Sequence, residues 1–173
     1  TIEESRMLAQ APGLTSLQVI FNVFRQNAIS DLFPLAEEND VGIIVRLPLA
    51  SGVLAGKMSR DQAFAESDHR HYNRHGEMFS QGETFSGVPF EQALNFVEEI
   101  RPLVPPDMTM AQMAMRWILD FPAVSTVIAG ASRPGKAAEN ARVSDLEPLS
   151  EELHEKLASL YREKIEPSIV VDI

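Results

Sequence analysis

Three short apolar runs, each set among helix patterns, constrain the fold of this chain more than any other feature. Leu14 to Phe24 (LTSLQVIFNVF) is apolar and β-branched, with Gln18 and Asn22 as polar interruptions, and reads as a strand. Val41-Gly-Ile-Ile-Val45 is a continuous apolar run, the mark of a strand covered on both faces. Val124 to Ala129 is a third run, read as a buried strand and ended by Gly130. Helices are predicted around them. Ile2 to Gln10 carries Glu3 and Glu4 at its start and is stopped by Ala11-Pro-Gly13. Ile29 to Asn39 has Asp31 as a cap and Pro34 within the first turn. Pro89 to Leu103 follows a long loop, and Thr109-x-x-Gln112 is a capping box. Behind that box Met110, Met113, Ala114, Trp117 and Ile118 repeat at helical spacing, a stripe read as core packing. Further helices start at Pro134 and at Ser150, the last running to about Lys164. Pro167 and Ile169-Val-Val171 form a tail with no predicted place.

Alternation of apolar strands with helices implies a parallel sheet with helices outside it. Three such strands alone would leave two hydrophobic edges open, which natural folds avoid. The order therefore predicts the C-terminal half of an eight-stranded (β/α)8 barrel, incomplete as it stands, with residues 1–173 as part of one barrel domain. A long loop, 58–88, is inserted after the strand that ends near Arg46. It is polar, contains Asp68-His-Arg-His-Tyr-Asn-Arg-His75, and is punctuated by Gly76, Gly82 and Gly87. Loops of this length in a compact domain are functional or mobile.

Composition narrows the partners. A net charge of -10 repels nucleic acid and anionic membrane surfaces, so neither is expected. With no cysteine, disulfides and thiolate metal sites are impossible. No apolar run approaches the ~18 residues of a membrane span. The expectation is a cytoplasmic protein. The chain starts at Thr1, directly in a helix pattern, and is expected to be a piece of a longer polypeptide.

The junction after the third strand is where chemistry gathers. Gly130-Ala-Ser132 leads into Arg133-Pro-Gly-Lys136, with Ser132 as the first capping residue and Pro134 fitting the first helical turn. Backbone N–H groups, the Ser132 hydroxyl, Arg133 and Lys136 converge there, which is what a phosphate ester requires. An ordinary junction with solvated cations is the alternative. His69, His71 and His75 match no tight ligand spacing, and no metal is expected.

Taken together, three segments resemble the aldo-keto reductase family. Gln18-Val-Ile-Phe-Asn22 is similar to its strand-six motif, and Pro48-Leu-Ala-Ser-Gly-Val-Leu-Ala-Gly-Lys57 to the loop after its strand seven. Val127-Ile-Ala-Gly-Ala-Ser-Arg-Pro-Gly-Lys-Ala-Ala-Glu-Asn140 is similar to the cofactor segment after strand eight. Arg116-Trp117 belongs to the pattern, and the 68–88 loop looks like a bacterial subgroup of general aldo/keto reductases. The resemblance covers roughly residues 3 to 163. It implies a barrel that binds NADP(H) across the C-terminal ends of its strands and reduces aldehydes or ketones, or oxidises alcohols, by hydride transfer.

Carried onto this chain, Gln18 would bond the nicotinamide carboxamide. Arg46 stands where many members place an aromatic that stacks on the nicotinamide; a planar guanidinium can also stack, or lie aside in an ion pair. Pro48, Leu49, Ala50, Ser51, Gly52, Leu54 and Lys57 would wrap the pyrophosphate, and Arg70 would be a second clamp. Gly130, Ala131, Ser132, Arg133, Lys136, Glu139 and Asn140 would hold the adenosine end, with Lys136 replacing a frequent Gln. The family's proton-transfer set (a Tyr acid, an Asp–Lys pair and a His) belongs to the other half of the barrel, so no catalytic residue is expected in this chain. It is expected to be inactive alone and to pair with the N-terminal half of the same barrel, or with itself. A cofactor-sensing binding subunit without turnover is the alternative.

Overall fold

The computed structural model describes residues 1–171. Its centre is a three-stranded parallel sheet of β1 (Ser16–Ile20), β2 (Gly42–Arg46) and β3 (Val124–Val127), in that spatial order. Ser16 pairs with Gly42 and Ile20 with Arg46 in an unbroken register. Between β2 and β3 the register shifts, because Ile43 pairs with Val124 and Ile44 with Thr126. Ser125 is thus an extra residue that bulges β3. A Cβ on Gly42 would lie 2.5 Å from the Ser125 hydroxyl, so glycine there makes room for the bulge.

Strand alternation divides the sheet into two unlike faces. Leu17, Val19, Ile43 and Val45 point to the helices and are buried. Ser16, Gln18, Ile20, Ile44 and Arg46 lie on the other face, where they are exposed or half-buried. The sheet is not closed among the described residues. β2 is therefore covered on one face only, contrary to the reading of its apolar run. β3, expected to be buried, is an edge strand with Ser125, Thr126 and Ile128 exposed.

The helices are α1 (Ile2–Ala9), α2 (Ala28–Asp31), α3 (Phe33–Glu38), α4 (His69–Tyr72), α5 (Phe90–Ile100), α6 (Met110–Leu119), α7 (Pro134–Ala141) and α8 (Glu151–Leu160). The helix expected over 29–39 is broken at Leu32, whose φ is -120°. Pro34 supplies no N–H to the preceding turn, so the chain starts a second helix there, and Asp31 ends α2 instead of capping anything. α6 opens on the expected capping box, Thr109 with Gln112. Trp117 on its buried stripe stacks on Phe21 at 5.0 Å and meets Phe121 edge-on. Past α8 the helix widens for one turn over Tyr161–Ile165. The tail then returns to the long loop: the Val170 N–H donates to Gly87 O at 3.0 Å.

Ahead of β3, at the C-terminus of α6, Asp120 gathers the ends of α6 and α8. Arg116 Nε donates to it at 2.9 Å, the Leu149 N–H at 3.0 Å, and His154 Nε2 lies 2.9 Å away. Arg116 is buried and the Asp120 side chain nearly so, and their mutual satisfaction allows that.

Candidate functional site

The loops that follow β1, β2 and β3 all leave from the C-terminal edge of the parallel sheet, the edge where open α/β sheets and barrels place ligands. Asn22, just past β1, ties the first two together. It is fully buried; its Nδ2 donates to Leu47 O at 2.9 Å and to Ser86 Oγ at 2.8 Å, and its Oδ1 accepts from the Phe24 N–H at 2.9 Å. One side chain thus holds the turn after β1, the loop after β2 and the end of the 58–88 segment.

The loop after β2 is tightly wound. Leu47, Ala50, Ser51, Gly52 and Gly56 all have positive φ, with Gly52 at 93°, a conformation open to glycine and strained for side chains. The N–H groups of Ala50, Gly52, Leu54 and Gly56 bond carbonyls within the loop. Pro48 is buried and Leu54 fully so, packed in the core, while Leu49 is half-buried. Ser51 is also engaged internally: its hydroxyl donates to Glu83 O at 3.3 Å and accepts from the Phe85 N–H at 3.1 Å. Lys57 is exposed at the loop's end.

Arg70 does reach this loop. Its Nη1 donates to Ser51 O at 3.3 Å, its Nε to Asp68 Oδ1 at 2.9 Å, and its guanidinium lies 4.5 Å from the Phe64 ring centroid. Asp68 also caps α4 through the Arg70 N–H. The Arg70 hydrogen bonds hold the Asp68 carboxyl at about 2, well below its ordinary value.

On the open face, Gln18 and Arg46 line one cavity of about 320 Å³, with Ile20, Arg25, Ser80 and Glu83. Arg46 forms a two-pronged ion pair with Glu83 of the long loop. The hydrogen bonds raise the Arg46 pKa and lower that of Glu83. Of the alternatives open for Arg46, the ion pair is the geometry observed. Arg25, in the turn that Asn22 closes, has its pKa lowered to about 10 by burial.

At the third loop, Gly130, Ala131 and Ser132 are exposed. Ser132 does not cap the helix; Arg133 is the capping position, extended at φ -150°, with Pro134 starting α7. One residue of shift follows from Pro134, which disfavours helical backbone in the residue before it. Arg133 Nη2 donates to Glu139 Oε1 at 2.8 Å and Lys136 Nζ to Oε2 at 3.4 Å. Glu139 thereby holds the two cations side by side, and the Arg133 bond first and the Lys136 bond second lower its pKa. Asn140 Nδ2 donates to Gly130 O at 3.1 Å, which ties the helix back to the loop. Its Oδ1 is buried with no partner among the described residues. That orphaned acceptor borders a groove of about 420 Å³ between β3, α6 and α7.

Among the described residues no group of three histidine or carboxylate side chains is placed to hold a metal. His69 instead sits 3.6 Å from Asp68 and 3.4 Å from Ser51 Oγ. Sequence reasoning did not single out Glu83, Arg25 or Asn73. Asn73 is fully buried and accepts the Met78 and Phe79 N–H groups, organising the long loop. Asn22 was visible as a polar interruption of an apolar run and as the end of the strand-six motif, with no sign of what it bonds.

Three loops at the C-terminal edge of a parallel sheet, backed by helices on one face, are the arrangement of one part of a βα-barrel. The chain belongs to the Aldo/keto reductase family, whose sequence profile it matches over residues 2–162. It is 26% identical over 138 residues to an aldo-keto reductase of Bacillus subtilis, a match covering 79% of this chain and 39% of that protein. It is 28% identical over 136 residues to a probable voltage-gated potassium channel subunit beta of Arabidopsis thaliana, covering 75% of this chain and 38% of the relative. The structure superposes on a glycerol dehydrogenase of Gluconobacter oxydans with a TM-score of 0.72 and 23% identity, over 99% of this chain and 50% of that one. The chain therefore spans half the length, or less, of the relatives it matches. Its fold is an open three-stranded portion of their barrel.

Proposed function

We propose that this chain is the cofactor-binding portion of an NADP(H)-dependent oxidoreductase that interconverts carbonyls and alcohols. The observation that carries the reading is the pairing of Arg133 and Lys136 on Glu139, beside the orphaned acceptor of Asn140. Two cations held one turn apart at a helix start suit a 2′-phosphate, and a buried amide oxygen without a donor suits an exocyclic amine. Gln18 on the open face would accept from and donate to a carboxamide. The loop 48–57 and Arg70 would flank the phosphates between. When bound, the nicotinamide supplies the hydride; the residues here bind and orient it. The other half of a barrel would be the partner of the open edges, a small carbonyl compound the substrate, and the cytoplasm the place of work.

The test is thermal unfolding of the chain with NADPH and, separately, NADH. A ligand at about a hundred times its Kd stabilises by roughly 2.7 kcal/mol. Stabilisation by NADPH and less by NADH supports the reading; equal or absent shifts refute the 2′-phosphate assignment. Residues 1–173 alone should show no carbonyl turnover, and turnover would overturn the division of labour between the halves. The likeness to a channel subunit supports a second reading, a cofactor-sensing subunit without turnover. Lack of carbonyl reduction in a complete barrel that still binds NADPH would select it.

A further inference from the structure

The cavity on the open face carries an unbalanced charge. Besides the Thr1 ammonium, which is paired with Glu4 at 2.8 Å, three charged side chains line it: Arg25, Arg46 and Glu83. Glu83 commits both carboxylate oxygens to Arg46. Arg25 feels the attraction of Glu83 and the repulsion of Arg46, so all three charges act on one another. Yet no hydrogen bond or ion pair of the Arg25 guanidinium is formed among the described residues. Its backbone is fixed by the reciprocal bonds of Arg25 and Asn22, at 2.8 and 3.3 Å, so the guanidinium is presented at the cavity by a rigid turn. Two half-buried guanidiniums facing one carboxylate leave one positive charge uncompensated among the described residues. An arginine fork is shaped for a planar or tetrahedral oxyanion.

We propose that this cavity is an anion subsite in which Arg25, beside the Arg46–Glu83 pair, receives the carboxylate or phosphate group of an acidic carbonyl substrate. The anion site stands on the charges and geometry; that the anion belongs to a carbonyl substrate rests on the function proposed above. Ser80, on the same wall, supplies a neutral hydroxyl for the rest of such a molecule.

The experiment follows the arginine Nε–Hε resonances of the 15N-labelled chain at constant ionic strength. It is titrated with pyruvate, with inorganic phosphate and with uncharged hydroxyacetone. A saturable shift of the Arg25 signal with pyruvate identifies a carboxylate site and one with phosphate a phosphate site; hydroxyacetone should leave it unmoved. Arg25→Gln, followed on the Arg46 signal because its own is lost, should weaken the anion at least about tenfold. Glu83→Gln should tighten it, because the competing negative charge is gone. Opposite signs from the two variants are not produced by a merely structural role. Anion affinity unchanged in both variants, or no saturable Arg25 shift, overturns the proposal. Repeating the titration with NADPH present separates the two readings. NADPH that stabilises the chain while the anion fails leaves the cofactor reading standing and sinks the subsite. An anion that binds where NADPH does not leaves the subsite and sinks the cofactor reading. Displacement of the anion by NADPH overturns its assignment to a substrate.

Discussion

Asn22→Ala should be among the most damaging single substitutions near the site, although Asn22 touches no ligand in the function proposed. The side chain makes three hydrogen bonds, to Leu47 O, Ser86 Oγ and the Phe24 N–H. At about 0.5–1.5 kcal/mol net each, their loss destabilises by about 1.5–4.5 kcal/mol. Ser86 and Phe24 are themselves fully buried, so their released groups find no water, which places the expected value in the upper half of that range. Asn22→Asp keeps the acceptor for Phe24 but neither donation, and places a charge in a buried position, so it should be no milder. The control is Asn39→Ala, which removes one exposed bond to Leu35 O and should stay within about 0.5 kcal/mol. Urea unfolding at constant m-value gives the energy, and amide exchange over residues 47–57 and 83–88 gives its location. A change under about 1 kcal/mol would refute the role assigned to Asn22, as would a large change without faster exchange in those two segments.

Three further outcomes follow from the same structure. Arg70→Gln should raise the Asp68 titration from about 2 towards the ordinary carboxylate range, read from its side-chain 13C shift. The sign is that of a depressed acid: stability from the Asp68–Arg70 pair is present above the unfolded pKa and is lost as pH falls through about 2. Asp120→Ala strands buried Arg116, the Leu149 N–H and His154, and should cost about 3–5 kcal/mol in urea unfolding. Replacing Arg133 and Lys136 together by Gln should abolish any excess of NADPH over NADH stabilisation while leaving the unliganded melting temperature nearly unchanged, since their bonds to Glu139 are exposed.

Much of the fold was legible because it is periodic. Gln112 three residues after Thr109 and the stripe through Trp117 placed α6, and the run 41–45 placed β2. What failed depended on context. Burial of β3 was inferred from its β-branched residues, but exposure is decided by neighbours, and β3 is an edge. The break at Leu32 came from one missing N–H, a local effect that a periodicity over eleven residues averages away. Within the candidate site, the grouping of Arg133, Lys136 and Asn140 was legible because they lie within eight residues of one another. The Arg46–Glu83 pair spans 37 positions, and nothing in a polar loop marks which of its carboxylates will return to a strand end.

The two open edges of the sheet are not equivalent. β1 offers five residues in regular register, whereas β3 offers four and is bent by the extra residue at Ser125. A strand added beside β1 meets an even ladder; one added beside β3 must carry a matching offset. Copies stacking head to tail would need a β3 junction at every step, so the bulge acts against endless growth along that edge.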